Sequence, residues 1–242
     1  MNEPLLIERR EQSWIFTLNR PEKMNALSPA LVQALTEGIQ QAHQENISLL
    51  VFRGNGKNFC AGFDFSDLET ASEGDLLRRI VQIEIMLDLL ATSPAMTLAL
   101  CHGRNFGAGA DLIASCKRRI AANGTTFRFP GIKFGLILGT RRFQNIVGTQ
   151  NALEILSSTR TIDAEEALKT GFMQTLQDQA DWQGIIEQAE TDNAILSDIT
   201  RQNLYRVLYG QAESDENLAA LVRSAAAPGL KDRIRAYLKP AQ

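Results

Sequence analysis

Two glycine-bearing stretches hold the residues best suited to chemistry. One runs Cys101-His102-Gly103-Arg104-Asn105-Phe106-Gly107-Ala108-Gly109-Ala110-Asp111-Leu112, and the other Phe59-Cys60-Ala61-Gly62-Phe63-Asp64-Phe65. Each follows an apolar run that reads as a buried strand, Met96-Thr97-Leu98-Ala99-Leu100 and Leu49-Leu50-Val51-Phe52, and each leads into a helix. Glycine stands where backbone turns sharply or closely approaches another group. The first N–H groups of a helix have no internal partners and sit at the positive end of its dipole. Two such turns converging on one oxygen would stabilise developing negative charge. Asp111, the only carboxylate of its stretch, lies just inside the helix and is the candidate acid or base. The plainer alternative is a tight turn with a solvated aspartate.

Phe-Cys-Ala-Gly-x-Asp followed by His-Gly-x-x-x-Gly-x-Gly-x-Asp-Leu resembles the crotonase, or enoyl-CoA hydratase/isomerase, family. The opening Leu18-Asn19-Arg20-Pro21-Glu22-Lys23-Met24-Asn25-Ala26-Leu27 resembles its first motif, and Thr161-Ile162-Asp163-Ala164-Glu165-Glu166-Ala167 with Gly171-Phe172 a later one. The resemblance runs from about residue 5 to about residue 190. It implies a spiral of ββα units, an acyl-CoA substrate and no cofactor beyond that CoA. It also implies an oxyanion hole made by the backbone N–H groups of Phe63 and Ala108, which would hold a thioester enolate. Lys23, Met24 and Ala26, with Ala61 and Asp64 across the groove, would meet the CoA moiety. Family hydratases use two glutamates. Asp111 stands at the first of these positions and Gly131, in Pro130-Gly131-Ile132, at the second. This departure disfavours efficient hydration. It leaves double-bond isomerisation as the favoured reaction, with weak hydration, decarboxylation or non-catalytic acyl-CoA binding as alternatives. Glu84, on a helix expected over the acyl pocket, is a secondary candidate. Arg141 and Arg142 fall near the neck of the pocket or on a helix surface, the surface being favoured.

The elements that must position these residues alternate between short strands and helices, which predicts an α/β fold. Trp14–Leu18 is a strand. Ser28 caps a helix that has Pro29 at its first position and runs to about His43, where the histidine is expected at the surface. Residues 75–90 form a helix, and 149–171 read as helical with Asp163 as a cap. A core over 1–190 is followed by a helical segment, 191–242, which the resemblance assigns to contacts in a homotrimer or homohexamer. Its Leu221, Val222, Leu230, Ile234 and Leu238 are expected to need a partner surface.

A composition 44% hydrophobic and 22% charged suits a soluble domain with a sizeable core. The net charge of −3 disfavours a nucleic-acid surface. No run approaches the ~18 apolar residues of a membrane span. Met1-Asn2-Glu3-Pro4 lacks a basic region and a signal core, and Cys60, Cys101 and Cys116 read as reduced, buried thiols, so a cytoplasmic protein is expected. His43 and His102 are the only histidines, and no metal site is expected.

Overall fold

The computed structural model describes residues 3–210 and 214–239. Its strands are β1 (Leu5–Arg9), β2 (Ser13–Leu18), β3 (Leu49–Gly54), β4 (Met96–Cys101), β5 (Arg104–Phe106), β6 (Arg118–Ala121), β7 (Thr126–Arg128), β8 (Ile162–Asp163) and β9 (Thr175–Leu176). The helices are α1 (Pro29–Gln44), α2 (Glu73–Ala91), α3 (Ala108–Ala114), α4 (Thr140–Val147), α5 (Thr149–Ser158), α6 (Ala164–Lys169), α7 (Trp182–Asn193), α8 (Asp198–Tyr209), α9 (Ser214–Ala225) and α10 (Leu230–Leu238). Six strands form one sheet in the order β1-β2-β3-β4-β6-β9, parallel except for the β1–β2 pair. A second sheet has the order β5-β7-β8.

Every residue of β2 is buried. Phe16 and Phe52 stack at 4.9 Å in the core that also holds Leu31, Leu35 and Ile39 of α1. Ile15 and Val51 point the other way, into a core closed by Trp182 and Ile186 of α7. A parallel sheet covered on both faces explains why these strands read as unbroken apolar runs. The Ser28 side chain accepts from the Leu31 N–H, with Pro29 at the first helical position, as expected. Ser72 starts α2 with a reciprocal capping box to Asp75.

Three expectations need correction. The stretch 149–171 is not one helix: α5 ends at Thr159, whose φ is 49°, and Ile162 then pairs with Phe127 before Asp163 caps α6. A sheet partner drawn from elsewhere in the chain overrides local helix preference. His43 is half-buried. Its Nε2 lies 2.8 Å from Ser93 Oγ, and burial, then the Lys117 charge, lowers its pKa to about 4. The third concerns the C-terminal helices. Leu221, Leu230 and Ile234 are buried within their own chain against Leu76, Ile80, Phe134 and Leu136, while Val222 and Leu238 stay exposed. They lie over the core because α9 packs on α2, and α10 on the 3-10 turn Pro130–Phe134. Residues 211–213 and 240–242 of the 191–242 segment, and Met1 and Asn2, lie outside the described residues. Among the described residues, no helix is long and apolar enough to cross a membrane.

Candidate active site

The two glycine-bearing turns are zipped together. Cys60 bridges Asn105, the Phe106 N–H donates to the Cys60 carbonyl at 3.2 Å, and the Phe59 N–H to the His102 carbonyl at 3.0 Å. Gly62 has φ +88°, and a Cβ there would lie 2.3 Å from the Phe106 carbonyl oxygen and 3.2 Å from the Ala108 nitrogen. A Cβ on Gly109 would lie 2.2 Å from the Cys60 carbonyl oxygen. Only glycine permits this approach, which brings the turn before Phe63 against the first turn of α3. Leu27 N–H donates to the Gly62 carbonyl, and Phe63 bridges Leu27. Among the described residues, the Phe63 and Ala108 N–H groups have no backbone acceptor of their own. They border a cavity of about 110 Å³, several times what one water needs. Its wall is apolar, with Phe63, Phe65, Phe129, Phe134 and Leu138 prominent, and Tyr237 of α10 contributes from the C-terminal end.

Asp111 lines this cavity and is 3% exposed. Among the described residues its Oδ1 has no hydrogen-bond partner, and burial pushes its pKa well above the ordinary 3.8. The nearby Arg142 charge pulls the other way, and Glu84 adds to the rise. Asp111 is the only carboxylate on the wall among the described residues. Gly131 also lines the cavity, as expected for the second carboxylate position, and a Cβ on it would make ordinary contacts of 3.6 Å with Leu136. Thr140, at the start of α4, adds a buried hydroxyl that has no partner among the described residues.

Other expected positions are placed differently. Lys23 and Met24 are exposed at a 3-10 turn; Ala26 is buried, and Ala61 reaches the cavity while its N–H donates to the Met24 carbonyl. Asp64 is buried and bound by Arg20 at 2.8 Å and by Ser66. Although burial raises its pKa, the Ser66 and Arg20 bonds hold it below the usual value. It therefore works here as a brace between motifs. Asn25, φ 55°, is a further brace: its side chain accepts from the Arg20 N–H and donates to the Asn55 and Asn58 carbonyls. His102 is also structural, with Nε2 2.9 Å from the Gly56 carbonyl and its ring against Trp182. Glu84 does not face the cavity; it is 2% exposed and gripped by both terminal nitrogens of Arg142. Arg142, expected at the surface, has its side chain only 10% exposed, because its partner lies across the interior on α2. Arg141 is the more exposed of the two and pairs with Glu216 of α9. The thiols are buried and free, and burial pushes Cys60 and Cys116 up to about 12.

Fold and cavity together define an α/β protein in which two close-packed glycine turns and a buried carboxyl border one apolar pocket. The family model described as "Enoyl-CoA hydratase/isomerase" matches residues 9–217. The chain belongs to this family, the crotonase family, and is an enzyme of the enoyl-CoA hydratase/isomerase kind. It is 55% identical to a crystal structure described as an enoyl-CoA hydratase/isomerase from Bordetella parapertussis, with TM-score 0.97, covering 99% of this chain and 100% of that one. A Mycobacterium bovis protein named "Probable enoyl-CoA hydratase echA6" is 32% identical over 87% of this chain and 84% of its own length. A mouse protein named "Ethylmalonyl-CoA decarboxylase" is 30% identical over 76% of this chain and 59% of its own.

Proposed function

We propose that the enzyme isomerises the double bond of an acyl-CoA thioester, with Asp111 as the acid/base. The reading rests on one observation: among the described residues, Asp111 is the sole carboxylate on the cavity wall, beside two N–H groups that have no backbone acceptor. In the carboxylate form, Asp111 takes a proton from C2 of a 3-enoyl thioester. The C–H electron pair moves into a dienolate whose charge rests on the thioester oxygen. Phe63 and Ala108 N–H groups hold that oxygen, each such donor being worth ~3 kcal/mol in the transition state. The Asp111 carboxyl returns the proton at C4, giving the 2-enoyl product. The apolar wall excludes water that would otherwise compete for the enolate.

Hydration needs a second carboxylate to help activate water, and Gly131 supplies none. Crotonyl-CoA hydration by the wild type is therefore expected to be weak, and Gly131→Glu to raise it, since the site accepts a Cβ without clash. Mass spectrometry of an acyl-CoA panel measures both reactions. Vigorous wild-type hydration, insensitive to Asp111→Asn, would remove the single-acid reading.

A second reading is favoured by the burial of Asp111, which raises its pKa and favours the protonated carboxyl. Loss of carbon dioxide from a malonyl-type thioester makes the enolate directly, and a protonated Asp111 then delivers the proton to C2. The two reactions differ in the sign of their pH dependence. Isomerisation, which starts from the carboxylate, rises with pH through the Asp111 pKa; decarboxylation, which uses the acid, falls. Steady-state rates with both substrate classes across that range decide between them. If neither turns over, solvent deuterium exchange at C2 of a bound acyl-CoA separates an enzyme from an inert binder.

We also read the protein as a homotrimer or a dimer of trimers. Exposed apolar side chains gather on and just before α8, with Ile195 77%, Ile199 74% and Val207 83% exposed. Light scattering at micromolar concentration should give three or six times 26.8 kDa. A monomer alone would end this proposal.

A further inference from the structure

The first turn of α4 forms the wall against which the Asp111 carboxyl rests. A Cβ on Gly139, the N-terminal cap of α4, would lie only 2.1 Å from Asp111 Oδ1. Three residues on, Arg142 turns away from solvent. Its Nη1 donates to Glu84 Oε2 at 3.1 Å and its Nη2 to Oε1, a two-point grip that fixes α4 against α2. The same Nη2 lies 3.7 Å from Asp88 Oδ1, which accepts from Ser214 Oγ of α9 at 2.6 Å. The neighbouring Arg141 pairs with Glu216, so adjacent arginines tie α4 to two other helices. An arginine fork matches a carboxylate geometrically, as an ammonium does not.

We propose that Arg142, clamped by Glu84, is a positioning residue for the reaction: the clamp holds the α4 wall, at Gly139, against the Asp111 carboxyl and fixes one positive and one negative charge in its neighbourhood. The clamp is a means of tuning because both of its charges reach Asp111, with opposite signs. Arg142 favours the Asp111 carboxylate and Glu84 opposes it. Among the described residues, Arg142 and Glu84 are the charged groups that act on Asp111, one from α4 and one from α2. Neither lines the cavity, so both act through Asp111 and not on substrate. An ion pair so far from solvent is often no more stabilising than an apolar substitute, which leaves a site-tuning role as a physical reason to have it.

The inference rests on the reading of Asp111 as acid/base, and its test has a readout besides turnover. Difference infrared spectroscopy of the full chain, with Asp111→Asn as the blank, follows the carbonyl stretch of the protonated Asp111 carboxyl as pH is varied. Arg142→Gln should move the Asp111 titration to higher pH by about one unit or more, the usual reach of a neighbouring charge. Glu84→Gln should move it to lower pH. Arg142→Lys keeps the charge and should lie closer to wild type than Arg142→Gln. The acid limb of kcat should shift with each, with KM little changed. A purely structural pair would not give opposite shifts from its two ends. Should Arg142→Gln fail to fold, Glu84→Gln alone decides, because it retains size and hydrogen-bonding oxygen. Glu84→Gln with wild-type melting and an unmoved titration overturns the proposal. Loss of function in Asp111→Asn alongside that result would leave the acid/base reading standing; full activity of Asp111→Asn would end that reading instead.

Discussion

Asp111→Asn should lower turnover by roughly 10²-fold or more while removing a pH-dependent cost to folding. The two effects share one cause. The Asp111 carboxyl is buried in an apolar wall with Oδ1 unpartnered, so its charged form is disfavoured and its pKa raised. Asparagine has nearly the same shape but cannot exchange a proton at reaction pH. In the unfolded chain Asp111 titrates near the ordinary 3.8. Between that value and the raised folded one, the folded protein holds a proton that the unfolded chain has released. Stability is therefore fully present below 3.8 and is lost as pH rises through the folded pKa. Each unit of separation carries about 1.4 kcal/mol. Urea melts of both proteins from pH 4 upward should show wild type losing ground to Asp111→Asn as pH increases. A constant difference between the two would mean that Asp111 is not held protonated. Unchanged turnover would mean that the acid lies elsewhere.

Gly62→Ala should be among the most damaging single-methyl additions in the chain. A Cβ at Gly62 meets the Phe106 carbonyl oxygen at 2.3 Å, and its φ of +88° strains any L side chain. Backbone oxygen cannot rotate aside as a flexible side chain can. Overpacking of this kind costs about 1–3 kcal/mol, and positive φ about 1–2 more. Gly109→Ala, with the Cys60 carbonyl oxygen 2.2 Å from its Cβ, pries at the same seam from the other side. Either change moves the Phe63 and Ala108 N–H groups apart, so turnover should fall even in protein that remains folded. Gly184→Ala in α7 is the control. Its Cβ meets nothing within 4 Å, and alanine should stabilise that helix by up to ~1 kcal/mol. Thermal melting of the three variants tests the ordering. Gly62→Ala melting like Gly184→Ala would mean that the turns are not packed as tightly as the structure has them.

By itself the sequence determined what depends on neighbours along the chain. The Ser28-Pro29 start of α1 and the Asp163 cap of α6 are local hydrogen-bond chemistry, readable from residue type and spacing. The buried strands were legible because a parallel sheet with two covered faces demands unbroken apolar runs. The motifs announced the crotonase family, and the glycines of the two central ones announced close backbone approach, although not what is approached. The tertiary structure decided everything that depends on a partner from afar. Arg142 reads as a surface cation until Glu84 is found 58 residues away. Asp64 reads as part of a ligand groove until Arg20 and Ser66 occupy its oxygens. Leu221, Leu230 and Ile234 form an apolar stripe whose need for cover is legible in sequence; that α2 and the Pro130–Phe134 turn of the same chain supply it is not. Thr159 ends a helix that local preference would continue because Ile162 has a strand to join. In each case the side chain's own chemistry is unaltered. Its desolvation and its partner decide the outcome, and both are set only once distant segments pack.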